Sequence, residues 1–109
     1  MEYSKCKILL VEDDADDAEM ILYSLRKLNS LEFIHIDDGV EALRYLFDES
    51  TPDPTLILLD LKMPKVDGLQ ILNRLKSDPA RKHIPVVVLI SSAAGKKYVE
   101  SFSLRPDSY

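Results

Sequence analysis

The chain has 109 residues, 46% of them hydrophobic and 30% charged, with a formal net charge of -5; this suffices for one globular core and no more. The acidic balance argues against non-specific nucleic-acid binding, since phosphate contact requires a basic patch. Cys6 is the single cysteine, which excludes an intrachain disulfide, and no apolar run is long enough to span a bilayer and no signal-peptide pattern occupies residues 1–5, so a cytoplasmic protein is expected, with Cys6 as small buried filler.

Residues 7–11 read as a first strand: Ile8-Leu9-Leu10-Val11 is apolar throughout, and the chain turns acidic at once with Glu12-Asp13-Asp14. That acidic stretch supplies a loop and a helix N-cap, with Asp16 and Asp17 in the first turn, where the helix dipole favours anions. Ala18, Ile21, Leu22, Leu25 and Leu28 recur at helical spacing, predicting an amphipathic helix over about 14–28 with Arg26 and Lys27 in its last turn. Residues 32–36 form a short second strand of weaker apolar character, which suits an edge. Asp38 followed by Glu41 resembles a capping box opening a second helix, with Val40, Leu43, Leu46 and Phe47 facing inward. Pro52 and Pro54 then break the chain.

Leu56-Ile57-Leu58-Leu59 is an unbroken aliphatic run that ends on Asp60 and is followed by Met63-Pro64 and Asp67-Gly68. Such a run bounded by turn residues predicts a third strand buried on both faces, with Asp60 at its carboxyl end, where open α/β sheets place their chemistry. A third helix extends to about Lys76 with Leu69, Leu72 and Leu75 inward, and Asp78-Pro79 closes it. Ile84-Pro85 leads into Val86-Val87-Val88-Leu89-Ile90, the most β-branched run of the chain and a fourth strand. Small residues 91–95 form a loop, a short fourth helix is expected over 97–103, and 105–107 read as a turn. Strands alternating with helices of this length imply right-handed βαβ units and a parallel sheet covered on both faces.

Acid therefore follows two strands, as Glu12-Asp13 and as Asp60. If those strands are neighbours, the three carboxylates converge at one mouth of the sheet and repel, raising at least one pKa unless a cation intervenes. Hard oxygen donors without His or Cys favour Mg²⁺, which keeps several waters and takes few protein ligands. A plainer reading has Asp13 and Asp14 only capping a helix and Asp60 only ending a strand, but it leaves the pairing of the two acidic clusters unexplained. His35 falls on the edge strand and His83 in a loop, and both are expected in surface or packing roles.

Residues 8–14 (Ile-Leu-Leu-Val-Glu-Asp-Asp), 59–68 (Leu-Asp-Leu-Lys-Met-Pro-Lys-Val-Asp-Gly) and 84–89 (Ile-Pro-Val-Val-Val-Leu) together resemble the receiver domain of two-component response regulators. The lead-in from Asp78, Asp-Pro-x-x-Lys-x-Ile-Pro, is similar to single-domain regulators associated with phytochrome-type histidine kinases. The resemblance runs in register from Lys5 to Tyr109. It implies one receiver domain over 1–109 with a doubly wound, flavodoxin-like parallel sheet of strand order 2-1-3-4, lacking the family's fifth strand and last helix. It further implies that Asp60 is the phosphoacceptor and takes a phosphoryl group from a histidine kinase or phosphotransfer protein. Mg²⁺ would be held by Glu12, Asp13, Asp60 and the backbone carbonyl of Lys62, with Asp14 left as a cap. Such a module is a phosphoacceptor rather than a turnover enzyme, and it passes its signal by protein contact.

The chain departs from the family pattern at two points. The Thr or Ser at the end of strand four falls on Ile90, with Ser91 one residue late and, by strand alternation, on the other face. Tyr109 matches the switch aromatic, and the family's Lys-Pro would lie beyond it; Lys96 and Lys97 precede the fourth helix and read as a solvated face. Ser91 and Tyr109 are thus the candidate switch residues. A bare fourth strand implies either a truncated chain or one that covers this edge by pairing with a second copy, as a homo-oligomer. The alternative function is a pseudo-receiver, an interaction module without phosphorylation. An aspartyl phosphohydrolase is disfavoured because Lys62 stands where its general-acid Asp belongs, an EF-hand because its glycine and terminal glutamate are missing, and a flavin site because only the fold type suggests it.

Overall fold

Three aliphatic runs and the weaker 31–36 segment become parallel strands, and the polar, cap-bearing segments between them become the helices that cover the sheet. The computed structural model describes residues 6–27, 31–60 and 68–89. In chain order these contain β1 (Cys6–Val11), α1 (Ala15–Leu25), β2 (Leu31–Ile36), α2 (Gly39–Leu46), β3 (Leu56–Asp60), α3 (Gly68–Ser77) and β4 (Val86–Leu89). The strands form one sheet in the order β2-β1-β3-β4, as expected, and every pairing is parallel. The register sets Val11 opposite both Ile36 and Leu59, and Asp60 opposite Leu89.

Alternation along the strands divides the core between the two faces. Leu9, Val11, Ile57, Leu59, Val86 and Val88 are fully buried and pack with Ala42 and Leu46 of α2 and Ile71, Leu72 and Leu75 of α3. On the opposite face Leu10 packs with Ala18 and Leu22 of α1, and Leu58, Phe33 and Leu89 are partly buried against them. Ile71 and Ala42 join the core although the sequence pattern passed over both. Leu69, Leu43, Val40 and Phe47, expected inward, are only half-buried.

Local chemistry explains where the helices start and stop. Asp14 caps α1, its Oδ1 accepting from the N–H groups of Asp16 at 2.9 Å and Asp17 at 3.0 Å. The helix is shorter than the expected 14–28: it ends at Leu25, with Arg26 as C-cap donating its N–H to the Leu22 carbonyl. Arg26 and Lys27 thus follow the last turn instead of occupying it, and the Lys27 ammonium lies 5.3 Å from the centre of the Tyr23 ring. Asp38 caps α2 through Val40 N–H at 2.9 Å, but the Glu41 carboxylate expected to complete a capping box accepts from Arg44 instead, at 3.1 Å.

A buried arginine ties α2 to the α3–β4 connection. Arg81 donates its Nε–H to the Leu46 carbonyl at 2.6 Å and pairs with Asp78 at 3.2 Å, while its guanidinium lies over the Phe47 ring at 4.8 Å. Arg74 lies at the same distance from that ring. The expected fourth helix, Ile90, Ser91, Lys96, Lys97 and Tyr109 all lie outside the described residues, as does Lys62. Among the described residues β4 has one strand neighbour, β3, so a bare outer edge, and with it a homo-oligomer, is a matter for residues outside them.

Candidate functional site

Because the sheet is parallel, β1 and β3 deliver their carboxyl ends to the same rim. Glu12 is the first residue past β1, and β2 holds its backbone at both the N–H and the carbonyl. Its N–H donates to the Ile36 carbonyl at 3.1 Å, and its own carbonyl bonds Nε2 of His35 at 2.8 Å. The Glu12 carboxylate turns into the rim, where Oε2 accepts the Asp14 N–H at 3.3 Å, and the residue is only 5% exposed. Asp13 beside it is exposed, and Asp60, ending β3, is half-buried.

These three acids meet: one carboxylate oxygen from each lies within 4.8 Å of the others. The convergence expected from the sequence is therefore present for Glu12, Asp13 and Asp60. Its electrostatic consequence is present too, since the Glu12 carboxyl is pushed up to about 8. Burial is the main cause, the hydrogen bond to Asp60 is next, and the charges of Asp60 and Asp17 add to them against the opposing Asp14 N–H. Faced only by these neighbours, Glu12 keeps a proton near neutral pH and donates it to the Asp60 carboxylate.

A divalent cation fits this donor set. The ligands are hard oxygens, their spacing lets one ion touch all three, and the protonation of Glu12 marks one negative charge more than the rim accommodates by itself. The apolar groove of about 690 Å³ that runs along α1 over Leu58, by contrast, lies apart from where the three carboxylates meet. Its exposed Met20 and Tyr23 offer apolar surface.

His35, expected in a surface or packing role, is exposed, and its ring in addition holds the backbone of the buried Glu12. Only the register of β2 against β1 could have shown this, because the partner is a carbonyl 23 residues away.

Comparison with known proteins agrees with this geometry. Residues 8–107 match the family model of the response regulator receiver domain. Response regulator Rcp1 of Synechocystis sp. is 38% identical over 107 residues, which cover 94% of this chain and 73% of that protein. The structure of a phosphorylated cyanobacterial phytochrome response regulator, RcpA, superposes with a TM-score of 0.86 at 40% identity, covering 96% of this chain and 79% of that one. The Mn²⁺-bound form of Rcp1 superposes with a TM-score of 0.85 at 38% identity, covering 94% and 78%. A parallel 2-1-3-4 sheet, acids gathered at its carboxyl rim and a family match over most of the length lead to one conclusion: the chain belongs to the response regulator receiver domains of two-component signalling.

Proposed function

We infer that this chain accepts a phosphoryl group on Asp60 from a phosphohistidine donor, with Mg²⁺ bound at Glu12, Asp13 and Asp60. The observation that carries the reading is the meeting of the three carboxylates, one oxygen from each within 4.8 Å, at the carboxyl rim of a receiver sheet. An Asp60 oxygen forms the new bond to phosphorus as the P–N bond of the donor histidine breaks, and the imidazole nitrogen keeps the electron pair. A bound cation would neutralise the charge that gathers on the transferring oxygens. Glu12, Asp13 and Asp60 would hold it, and the carbonyl of Lys62 is a further candidate ligand by resemblance. Hydrogen bonds from β2 and Asp14 keep Glu12 in place.

The product is an acyl phosphate, and one transfer consumes one acceptor, so the chain acts as a signal carrier and not as a turnover enzyme. A histidine kinase or phosphotransfer protein is the donor and protein contact is the output, with Ser91 and Tyr109 as the residues that would read the phosphorylated state. The absence, among the described residues, of any helix long and apolar enough to cross a membrane is compatible with work in the cytoplasm.

The test is labelling by a small phosphodonor such as acetyl phosphate in the presence of Mg²⁺, followed by mass spectrometry. One phosphoryl group per chain is expected, acid-stable, hydroxylamine-labile and lost in Asp60→Asn. Labelling that persists in Asp60→Asn overturns the assignment. A parent chain that binds Mg²⁺ but never takes phosphate favours the pseudo-receiver.

A further inference from the structure

The acidic rim has a support that its three carboxylates do not explain. In a parallel pair, the N–H and carbonyl of one strand residue bond two different residues of the neighbouring strand. Glu12 makes the first of these bonds, to the Ile36 carbonyl. β2 then ends at Ile36, and two residues later Asp38 turns away as the cap of α2. The Glu12 carbonyl thus lies just past the strand that would have supplied its next donor, and the His35 ring reaches it at 2.8 Å.

A carbonyl oxygen only accepts, so Nε2 of His35 carries the hydrogen in this bond. The bonded carbonyl belongs to the peptide that joins Glu12 to Asp13. Its orientation governs both side chains at once: the buried carboxylate on one side and the exposed one on the other. Asp13 has no packing of its own to hold it, since it is exposed.

We propose that His35 is a positioning residue of the acidic site, donating from Nε2 to the Glu12 carbonyl and so aiming the Glu12 and Asp13 carboxylates at a common cation. The inference rests on the Mg²⁺ reading above. It assigns His35 no contact with metal or phosphate, and it acts through the backbone. Groups one step removed from a metal ligand typically alter affinity by about 10-fold or more when lost, and about 10-fold is the effect expected here. His35 is itself exposed, so truncating it opens no cavity in the core.

The experiment measures Mg²⁺ affinity by titration calorimetry for the full chain and for His35→Ala, His35→Gln and His35→Leu, with urea unfolding in EDTA alongside. His35→Ala and His35→Leu are expected to weaken Mg²⁺ binding about 10-fold while moving the EDTA unfolding midpoint little. His35→Gln, whose amide N–H can reach a carbonyl, is expected to recover most of the affinity. In the unmodified chain, ¹⁵N spectroscopy of the imidazole should show the hydrogen on Nε2 in the neutral ring. Unchanged Mg²⁺ affinity in His35→Ala, no recovery in His35→Gln, or a neutral ring protonated on Nδ1 each overturns the proposal. An equal loss of stability and of affinity assigns His35 a structural role only, and also overturns it. A parent chain that binds no Mg²⁺ overturns the site reading together with this one, whereas a parent that binds with an indifferent His35→Ala overturns this one alone.

Discussion

Glu12 carries opposite demands. Burial against the end of the sheet and the hydrogen bond to Asp60 favour its protonated form and raise its pKa from 4.5 to about 8, whereas a cation at the rim requires the carboxylate. Between those two pH values the folded, metal-free chain holds a proton that the unfolded chain has released. Stability in EDTA should therefore be greatest, as far as this group is concerned, below about 4.5 and decline as pH rises through about 8. Glu12→Gln cannot lose a proton, and its unfolding midpoint in EDTA should be flatter over that range. Binding Mg²⁺ near neutral pH should expel close to one proton per ion, and the release should vanish well above pH 8 and in Glu12→Gln. Calorimetry in buffers of different ionisation enthalpy measures this directly. Proton release that is absent at pH 7 in the parent, or unchanged in Glu12→Gln, would refute the assignment of the proton to Glu12.

At the scale of elements, what was legible in the sequence follows from what each element depends on. Three strands were legible because each is a nearly continuous aliphatic run and β2 as a shorter, weaker one, and the caps because Asp14 and Asp38 are short acids standing where helices begin. The end of α1 was less legible: Arg26 and Lys27 are good helix formers, so nothing before Asn29-Ser30 announces a stop at Leu25. Asp60 and its acidic pair were legible from motif and strand position together, but the bond from His35 depends on register, and Arg81 on a tertiary pocket. Arg81 is 8% exposed, and it bonds the carbonyl that closes α2 while lying over the Phe47 ring. Its removal leaves the Leu46 carbonyl without that donor and Phe47 without that cation, so Arg81→Ala should lose about 3 kcal/mol in urea unfolding. Arg81→Lys should recover little of it, because an ammonium offers neither the planar stack nor the Nε–H. Glu49, 3.7 Å from the same guanidinium but with its side chain 93% exposed, should be nearly neutral as Glu49→Ala. Equal losses in Arg81→Ala and Glu49→Ala would show that the surface ion pair, not the buried bond, holds α2.

Parallel topology has an electrostatic consequence for the molecule as a whole. Every strand points the same way, so residues that follow strands accumulate on one rim: Glu12, Asp13 and Asp14 after β1, Asp37 and Asp38 after β2, and Asp60 at the end of β3. Asp14 and Asp38 are compensated by the helix N–H groups they cap, but Asp13 and Asp60 meet beside Glu12 in a chain of net charge -5. Within about 10 Å, the screening length near 0.1 M salt, their repulsion opposes folding and weakens as salt is added. The unfolding temperature in EDTA should therefore rise as NaCl increases from about 0.01 to 0.15 M. Saturating Mg²⁺ should raise it further, by the free energy of binding a ligand that the unfolded chain does not hold, about 3 kcal/mol at a hundredfold excess over Kd. Once the ion is bound, part of the repulsion is already neutralised, and the remaining salt dependence should shrink. Asp60→Asn removes one of the facing charges, so it should melt higher than the parent in EDTA and gain less from Mg²⁺. A parent whose EDTA melting temperature is flat or falls with NaCl would mean that the rim carries no net repulsion, and that its acids are compensated by contacts other than a cation.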